Sequence, residues 1–414
     1  MKAYVESYGC TLNEADARII KGILIKEGVE LVEKPELADI VFLNTCAVKN
    51  ATENRMISRI QELNKYDLVV CGCLPRINPE RIREVSDCVM LDTNSLDKIP
   101  LLLEGQKQDF FSEKHLNKLE LPFTKQGLIA VLPIAEGCLG NCAFCATKNA
   151  RGRLTSYPKK HVKAVMERLI EEGAREIRLT AEDTGVYGWD KGTSLHSLLE
   201  ELVNVEGDFK IRVGMMEPFS ALKDLEKLSS VFESPKIYDF AHVPVQSGSD
   251  DVLVKMQRKY SVDDFIMVAK KLKEKPFFTL ATDIIVGFPG ETEEDFDKTL
   301  GLLKKVRPGV TNVSMFYPRP KTKAGQMKKL PTQQLKARSR KCSLLTKEIA
   351  LSQNNLLVGH SFEARVLERG KKGGFVGRLP NYKQVLLEDA DIGKKYNVLV
   401  SKAFPNYVKV SQVS

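Results

Sequence analysis

The chain has 414 residues, 43% of them hydrophobic, which is long enough for two to four domains with substantial cores. No run of 18 apolar residues is present, so no membrane-spanning helix is expected, and the start, MKAYVESYGC, lacks the apolar core of a secretion signal, which predicts a cytoplasmic protein. The net charge is +9, and nine cysteines in a reducing compartment indicate metal binding or catalysis rather than a disulfide framework.

Residues 1 to about 105 alternate short apolar segments with segments of helical periodicity. The predicted strands are KAYVES, DIVFLN, DLVVCG and CVMLD. The predicted helices run from about Leu12 to Lys26, from Lys49 to Asn64, after Pro79, and from Ser95 to Leu103. This alternation predicts a doubly wound α/β domain with a parallel sheet. We assign residues 1–110 to it and interpret the polar residues 106–126 as a linker.

A second alternation of strands and helices extends from Leu128 to about Pro318. Its six predicted strands are LIAVLPI, EIRLTA, KIRVGMM, YDFAHVPV, TLATDIIVGF and TNVSMFY. Six strand–helix units predict a (β/α)6 arrangement, an open relative of the eight-fold barrel, with its chemistry at the C-terminal ends of the strands. With a further predicted helix at 331–352, this domain spans residues 127–352.

The last part of the chain is strongly basic. Residues 355–414 combine short strands with Gly-rich turns such as RGKKGGFVGRLPNY, which predicts a small β-barrel. From Arg319 to the end there are 20 Lys or Arg against 6 Asp or Glu, whereas the remainder is slightly acidic. Such a region is either a solvated lysine-rich face or a surface for an anionic partner. The aromatic residues among the charges favour nucleic acid.

Three cysteines lie in one short segment, EGCLGNCAFC, just after the first strand of the predicted (β/α)6 domain. Cys138, Cys142 and Cys145 have the spacing C-x3-C-x2-C. Zinc prefers four ligands, so a zinc site would need a fourth from His161 or elsewhere. A [4Fe–4S] cluster held by three thiolates keeps one iron open for a further ligand. The spacing resembles that of the radical S-adenosylmethionine (SAM) superfamily, which favours the cluster.

Three further cysteines follow strand ends in the N-terminal domain. Cys10, Cys46 and Cys73 each lie just past the C-terminal end of a predicted parallel strand, the edge where open α/β sheets bind ligands. We therefore predict a second three-thiolate site, although free cysteines also serve as small core residues. Cys71 is an alternative to Cys73, because it lies two residues earlier on the same strand.

The remaining polar and thiol residues near these sites are assigned as follows. Cys88 and Cys342 are interpreted as packing cysteines. Asn13 and Asn44 flank the second site, either as hydrogen-bonding residues that support the ligands or as ordinary loop residues.

The whole chain resembles the methylthiotransferase family. The segments that carry the resemblance are GCTLNEAD, NTCAVK, CGCLP, GCLGNCAFC, VPVQSGSDDVL, MQRKYS and TDIIVGFPGETEEDF, together with the last 60 residues, which look like a TRAM domain. LTAEDTGVYG and FYPRPKTKA look most like the archaeal and eukaryotic branch, which acts on N6-threonylcarbamoyladenosine in tRNA. The sequence departs from the expected pattern at Glu217, Lys321 and Lys323, where we expect Asn, Gly and Pro.

The resemblance implies a fold, an activity and cofactors. The fold is an N-terminal flavodoxin-like domain, a radical-SAM partial TIM barrel and an RNA-binding TRAM barrel. The activity is addition of a methylthio group to carbon 2 of the adenosine 3′ of the anticodon. Two [4Fe–4S] clusters are implied: one reduces SAM to release a radical, and the other carries the sulfur. The partners are the tRNA anticodon stem-loop and an electron donor such as a flavodoxin or ferredoxin, with no membrane.

Contacts to SAM are predicted at five positions: Phe144, Glu182, Asp183, Gln246 and Gly287. All lie in the cysteine loop or just past a strand of the (β/α)6 domain. For Glu182 and Asp183 the alternative is that they cap a following turn. For Gly287 the alternative is turn chemistry alone.

Three rival functions remain from the sequence. The substrate of a methylthiotransferase could be isopentenyladenosine in tRNA or an aspartate of a ribosomal protein, although the basic C-terminal part favours a phosphate backbone. A zinc-stabilised RNA-binding protein without catalysis is the rival from another class. Iron content and visible absorbance distinguish that protein from the enzyme.

Overall fold

The N-terminal domain is a parallel sheet in the computed structural model, which describes residues 1–46 and 50–412 of the chain. Its five strands pair in the order β2-β1-β3-β4-β5. The strands are β1 (Lys2–Ser7), β2 (Glu30–Val32), β3 (Ile40–Thr45), β4 (Leu68–Gly72) and β5 (Val89–Asp92). The helices are α1 (Thr11–Lys26), α2 (Asn50–Leu63), α3 (Leu74–Ile77), α4 (Pro79–Arg83) and α5 (Ile99–Leu103).

The sheet is covered on both faces because its strands are apolar on both sides. Phe42 and Val69 pack with α1 and α5, whereas Val41, Leu43 and Val70 pack with α2, α3 and α4. The doubly wound prediction is therefore confirmed. The edge strand β2 was missed, because three residues are too short for a visible alternation. Lys49, the predicted start of α2, lies outside the described residues.

The central domain is built on six parallel strands. These are β6 (Ile129–Pro133), β9 (Glu176–Thr180), β10 (Lys210–Arg212), β11 (Phe240–His242), β12 (Thr279–Val286) and β13 (Val310–Met315). They form two sheets, β6-β9-β10 and β11-β12-β13, and the bridge between Ile211 and Ile237 joins the two sheets. A short antiparallel pair that the sequence did not predict, β7 (Ala135–Glu136) with β8 (Thr155–Ser156), flanks the cysteine loop. The (β/α)6 prediction is confirmed.

Helices surround this barrel on its outside. They are α6 (Thr147–Arg151), α7 (Lys159–Glu171), α8 (Leu195–Val203), α9 (Pro218–Lys223), α10 (Leu225–Phe232), α11 (Asp250–Lys255), α12 (Val262–Leu272), α13 (Glu293–Val306) and α14 (Thr332–Asn355). Reciprocal side-chain caps start α12 and α13, in which Ser261 and Thr292 bond Asp264 and Asp295. These caps fix where each helix leaves the strand before it.

The C-terminal domain is a closed barrel of five strands in the order β14-β15-β16-β18-β17. Its strands are β14 (Ser361–Arg369), β15 (Phe375–Arg378), β16 (Gln384–Leu387), β17 (Lys395–Ala403) and β18 (Val408–Gln412). The predicted small β-barrel is confirmed, and its last two residues, 413 and 414, lie outside the described part of the chain. No helix in the described ranges is long and apolar enough to cross a membrane.

The three domains are docked by specific contacts rather than joined by free linkers. Phe110, in the segment interpreted as a linker, pairs with Leu91 beside β5, and Lys118 is fully buried. Tyr382 of the C-terminal barrel lies between Tyr238 and Phe240 of the central barrel, with ring centroids 4.9 Å from each. The cysteine sites are therefore held in one body together with the C-terminal barrel.

Candidate active site

The cysteine loop leaves the central barrel at the end of β6, where the fold places its chemistry. Gly137 has φ +69°, and a Cβ there would lie 2.1 Å from the carbonyl oxygen of Arg153, so only glycine fits. A Cβ on Gly140 would lie 3.3 Å from the Cys138 sulfur and 3.5 Å from the Cys142 sulfur. The backbone N–H of Gly140 donates to Cys138 Sγ over 3.1 Å. The loop thus curls so that its thiols share one side.

A basic residue from a distant part of the chain supports this loop. Arg258 donates to Cys142 Sγ over 2.8 Å and pairs with Glu217 at 2.8 Å. Burial raises the pKa of the Cys142 thiol, and the Arg258 charge opposes that rise. Phe144, half-buried, places its ring 5.8 Å from the same guanidinium. A cation against a thiolate is what a negatively charged iron–sulfur cluster needs.

The three N-terminal cysteines meet at the edge of the sheet through one amide side chain. Asn13 donates to the carbonyl oxygens of Tyr8 (2.9 Å) and Thr45 (2.8 Å), which lie just before Cys10 and Cys46. Its Oδ1 accepts from the Cys73 thiol at 3.6 Å. Asn44 in turn donates to the backbone oxygen of Asn13 at 2.7 Å. Asn13 and Asn44 therefore hold together the loops that carry the three thiols.

The pKa values of these thiols also indicate that the three lie close together, because the thiols affect one another. Burial and then the charge of Glu182 raise the pKa of Cys10 to about 11. Burial raises the pKa of Cys73 as well, and both Cys46 and Cys10 add to that rise. Although its thiol is surrounded by enough protein to raise its pKa, Cys10 as a whole residue is exposed and lines an open cavity of 370 Å³, whereas Cys46 and Cys73 are buried. One side of the trio therefore faces solvent.

Cys71, the alternative ligand, lies on the opposite face of the sheet from Cys73. It packs with Phe42 and Val69 against α1, in the opposite core from Cys73. Its pKa is raised by burial and by Cys88 and Asp16, with no contribution from Cys10 or Cys46. The geometry therefore favours Cys73. Cys88 and Cys342 are buried among apolar side chains, as expected for packing cysteines.

Thiols from neither site are arranged around a single ion. Among the described residues, no group of three or more His, Cys, Asp or Glu side chains could hold one metal ion. Zinc draws its four ligands to within about 2.3 Å of one centre. In a [4Fe–4S] cluster each thiolate binds a different iron, so the sulfurs stay apart.

A buried network of charges connects the two trios, and the sequence analysis did not identify it. Arg151, at the end of α6, pairs with Asp16 (2.6 Å) and Glu136 (3.1 Å) and donates to Asn13 Oδ1 (2.7 Å). Lys118 pairs with the same two carboxylates at 2.5 and 2.7 Å. All four charged side chains are at most 1% exposed. The signal available was the position of Glu136 and Arg151 at the two ends of the cysteine segment.

Glu182 and Asp183 are neighbours after β9 but face different trios. Glu182 forms an ion pair with Arg151 at 3.2 Å, and its charge acts on Cys10 and Cys73. The charge of Asp183 acts on Cys138. Burial raises the pKa of each carboxyl to about 7. Asp183 also caps the next turn through Gly185 N–H at 2.9 Å, as the alternative interpretation proposed.

The other predicted SAM contacts differ in their geometry. Gln246 follows β11 with φ +68°, rare for a non-glycine residue, and its buried Oε1 has no hydrogen-bond partner among the described residues. A strained residue with an unsatisfied buried acceptor indicates a ligand position. Gly287 has φ +72°, but its N–H is bound by Glu291 at 2.8 Å and Leu335 covers its Cα. This geometry favours the turn alternative for Gly287.

The positions that depart from the family pattern have structural consequences. Glu217 is the partner of Arg258 beside the cysteine loop, so the acid adds a charge where the pattern has an amide. Lys321 has φ +57°, a conformation that glycine adopts without cost. The substitutions therefore change charge and strain around the site without removing a predicted ligand.

Three segments of the chain match known domain families. Residues 2–91 match the Uncharacterized protein family UPF0004, residues 132–303 match the Radical SAM superfamily, and residues 355–410 match the TRAM domain. These segments lie in the N-terminal, central and C-terminal domains respectively.

Curated relatives align with nearly the whole chain. The probable threonylcarbamoyladenosine tRNA methylthiotransferase of Pyrococcus horikoshii is 40% identical over 99% of this chain and 98% of its own length. The one from Methanothermobacter thermautotrophicus is 38% identical over 99% of both chains. The threonylcarbamoyladenosine tRNA methylthiotransferase of Homo sapiens is 35% identical over 100% of this chain and 74% of its own length.

Solved structures share the fold at low identity. The radical S-adenosylmethionine methyltransferase TsrM from Kitasatospora setae, with cobalamin and a [4Fe-4S] cluster bound, has a TM-score of 0.59 at 14% identity, over 78% of this chain and 76% of that chain. The cobalamin-dependent S-adenosylmethionine radical enzyme OxsB has a TM-score of 0.55 at 11% identity, over 84% and 56%. At this level of identity the likeness shows a shared fold and nothing about activity.

Proposed function

The chain belongs to the threonylcarbamoyladenosine tRNA methylthiotransferase family, and we propose that it transfers a methylthio group to carbon 2 of N6-threonylcarbamoyladenosine, 3′ of the anticodon in tRNA. It is a radical SAM enzyme that uses SAM and a [4Fe–4S] cluster. The observation that carries the proposal is that Glu182 and Asp183, adjacent in the chain, act on different cysteine trios. The end of β9 therefore lies near both trios.

Cys138, Cys142 and Cys145 would hold the cluster that binds SAM. The bound cluster and SAM together supply a carbon radical, which can remove the unactivated hydrogen of an adenine ring. Arg258 balances the charge at Cys142, and Gly140 donates to Cys138. The unsatisfied oxygen of Gln246 and the carboxylate of Asp183 are acceptors suited to the ammonium or ribose of SAM.

Cys10, Cys46 and Cys73 would hold a second [4Fe–4S] cluster, which would carry the sulfur to be transferred. The support is the Asn13 bridge between the three loops and the cavity that opens at Cys10. Three thiolates would leave one iron of such a cluster without a protein ligand. Near this site, ion pairs with Arg151 and Lys118 balance the charges of Asp16 and Glu136. These pairs link the N-terminal domain to the central domain.

The partners follow from the same assignment. The basic C-terminal part would bind the tRNA phosphate backbone, and an external donor such as a flavodoxin or ferredoxin would reduce the cluster. The names of the relatives support threonylcarbamoyladenosine over isopentenyladenosine or a ribosomal aspartate. A buried site that bonds a polar substituent rejects analogues that lack it, because its own polar groups are left unpaired.

The test compares two tRNA substrates with anaerobically reconstituted enzyme. One transcript carries threonylcarbamoyladenosine and the other is unmodified. Nucleoside mass spectrometry should find the methylthio product in the first, with the second a poor substrate. Equal turnover of both would reject the substrate assignment, and product from isopentenyladenosine tRNA instead would move the enzyme to the rival branch.

A further inference from the structure

A second cavity lies at the other end of the central barrel from the cysteine sites. Its volume is 450 Å³, within the range of small-molecule sites. It is lined by the beginnings of β11 and β12, by β13 and α14, and by the C-terminal barrel. The cysteine loop, Glu182 and Gln246 follow the opposite ends of the strands, so this cavity is separate from the proposed active site.

The lining of this cavity is cationic. Arg212, Lys347, Arg378 and Lys383 all face it, and none of the lining residues in the described part of the chain is Asp or Glu. The two nearby carboxylates have partners of their own. Glu176 pairs with Arg178 at 2.7 Å and accepts from Tyr238 at 2.9 Å, and Asp283 pairs with His242 at 3.0 Å. Four cations are thus gathered without a matching anion.

The two guanidinium groups are held in place by aromatic rings, and within the described residues the one acceptor they reach is the carbonyl oxygen of Gly377, 3.3 Å from Arg378 Nη1. Arg212 stacks on Phe240 at 5.2 Å and forms no hydrogen bond or ion pair within residues 1–46 and 50–412. Arg378 stacks on Tyr382 at 5.4 Å, and its buried Nε has no hydrogen-bond partner in those ranges. A buried donor left unpaired costs free energy, and the cost is greater for a charged group. A ligand that accepts from both would remove that cost.

Lys383 is a further cation in the lining of this cavity. Within the described residues its Nζ donates one hydrogen bond, to the carbonyl oxygen of Gly309 at 2.9 Å, and the residue is 6% exposed. Burial lowers the pKa of Lys383 to about 8, because no carboxylate offsets the loss of water. An anion bound in the cavity would therefore stabilise the charged form of Lys383.

We infer that this cavity is a phosphate-binding site, formed jointly by the central barrel and the C-terminal barrel. Arginine forks bind phosphate oxygens in bidentate fashion, and stacked aromatic rings keep the forks oriented. The phosphate comes from the tRNA backbone or from a free phosphoanion, and the RNA source rests on the proposed function. A bound phosphate would add a further contact between the two barrels, which already dock through Tyr382.

The test uses the full-length, cluster-loaded protein and inorganic phosphate. Calorimetric titration at constant ionic strength should show one site per chain, and Arg212→Met and Arg378→Met should each weaken binding about tenfold or more. Lys304→Met, which removes an equal charge from the exposed face of α13, should leave phosphate binding unchanged. No phosphate binding by the wild type, or wild-type affinity in both arginine variants, overturns the inference.

Two further measurements exclude a merely structural role and identify the source of the phosphate. Because Arg212 forms no ion pair among the described residues, Arg212→Met should melt no lower than the wild type, and a lower melting temperature in both arginine variants contradicts an anion receptor. Phosphate displaced by added tRNA supports a backbone phosphate; phosphate retained beside bound tRNA supports a free phosphoanion. If the protein binds phosphate but forms no methylthiolated nucleoside, the proposed function is rejected and the phosphate site is not.

Discussion

The two cysteine trios reach similar arrangements by opposite routes. Cys138, Cys142 and Cys145 lie within one loop after β6, where glycines allow the backbone to fold the sulfurs to one side. Cys10, Cys46 and Cys73 come from three strand ends, and Asn13 and Asn44 hold their loops together. The first trio is therefore local and depends on its loop. The second is assembled by the fold and depends on the packing of a whole domain.

The same difference applies to the charges beside the thiols. Arg258 reaches the local trio from the segment after α11 and contacts a sulfur directly. Arg151, beside the second trio, bonds Asn13 and two buried carboxylates. Arg258 therefore acts directly on a thiol, whereas Arg151 stabilises the interface between the domains that carry the thiols. Five predictions test this contrast.

The largest expected effect separates the two trios by function. Cys142→Ala should abolish both reductive cleavage of SAM and formation of the methylthio product, because it removes a ligand of the cluster that binds SAM. Cys46→Ala should abolish the product and keep SAM cleavage. Chromatography of 5′-deoxyadenosine and nucleoside mass spectrometry measure the two outcomes. Loss of cleavage in folded Cys46→Ala protein would contradict the separation.

Iron content should separate the trios next. Reconstituted wild type should hold ~8 irons per chain, and Asn13→Ala should fall to ~4, because the three strand-end loops lose their common hydrogen bonds. Asn204→Ala, which changes an exposed amide at the end of α8, should retain the wild-type value. Full iron in Asn13→Ala would show that the second trio does not need this bridge.

The buried network should matter for stability. Arg151→Met leaves Asp16 and Glu136 with Lys118 alone, and breaking a buried ion pair costs roughly 3–5 kcal/mol. Arg168→Met on the exposed side of α7 should cost less than about 1 kcal/mol. Urea unfolding followed by circular dichroism compares the two. Equal midpoints would show that the network does not hold the domains together.

Stability of the cluster-free protein should fall as pH rises toward 7. Burial raises the pKa of Glu182 and Asp183 to about 7 in the folded chain, whereas the unfolded carboxyls ionise near their ordinary values. Between those pH values the folded state binds more protons, so unfolding becomes easier by up to ~1.4 kcal/mol per pH unit for each group. Asp183→Asn and Glu182→Gln should each flatten the profile. A wild-type profile that rises over pH 5–7 would show that other groups dominate.

The smallest effect should come from the C-terminal barrel, on which neither trio relies for a ligand. Removing this barrel would expose Tyr238 and Phe240, so point changes are the cleaner test. Replacing the exposed Lys371, Lys372, Lys402 and Lys409 by Met should weaken tRNA binding by roughly tenfold and reduce its salt dependence, with ~8 irons retained. Unchanged affinity at matched salt would move the RNA site to the basic segment from Arg319 to Lys347.

Some expectations from the sequence did not hold in the structure. The segment 106–126 is not a free linker, because Phe110 pairs beside β5 and Lys118 is buried. Polar composition suggested exposure, but a lysine that meets two carboxylates can be buried. The short strands β2, β7 and β8 were also missed, since two or three residues show no periodicity.

What the sequence determined by itself is local. Alternating strands and helices specified the three domains, and the C-x3-C-x2-C spacing specified one thiol site, because neighbouring residues in a short loop cannot separate. Strand ends also pointed to Cys10, Cys46 and Cys73, since parallel strands end at one edge. Only the tertiary structure shows that Cys71 and Cys73 lie in different cores, because β4 ends at Gly72, whose positive φ turns the chain before Cys73. It alone brought Arg151, Lys118, Asp16 and Glu136 together, since charges far apart in sequence carry no periodic signal and pair only after the domains dock.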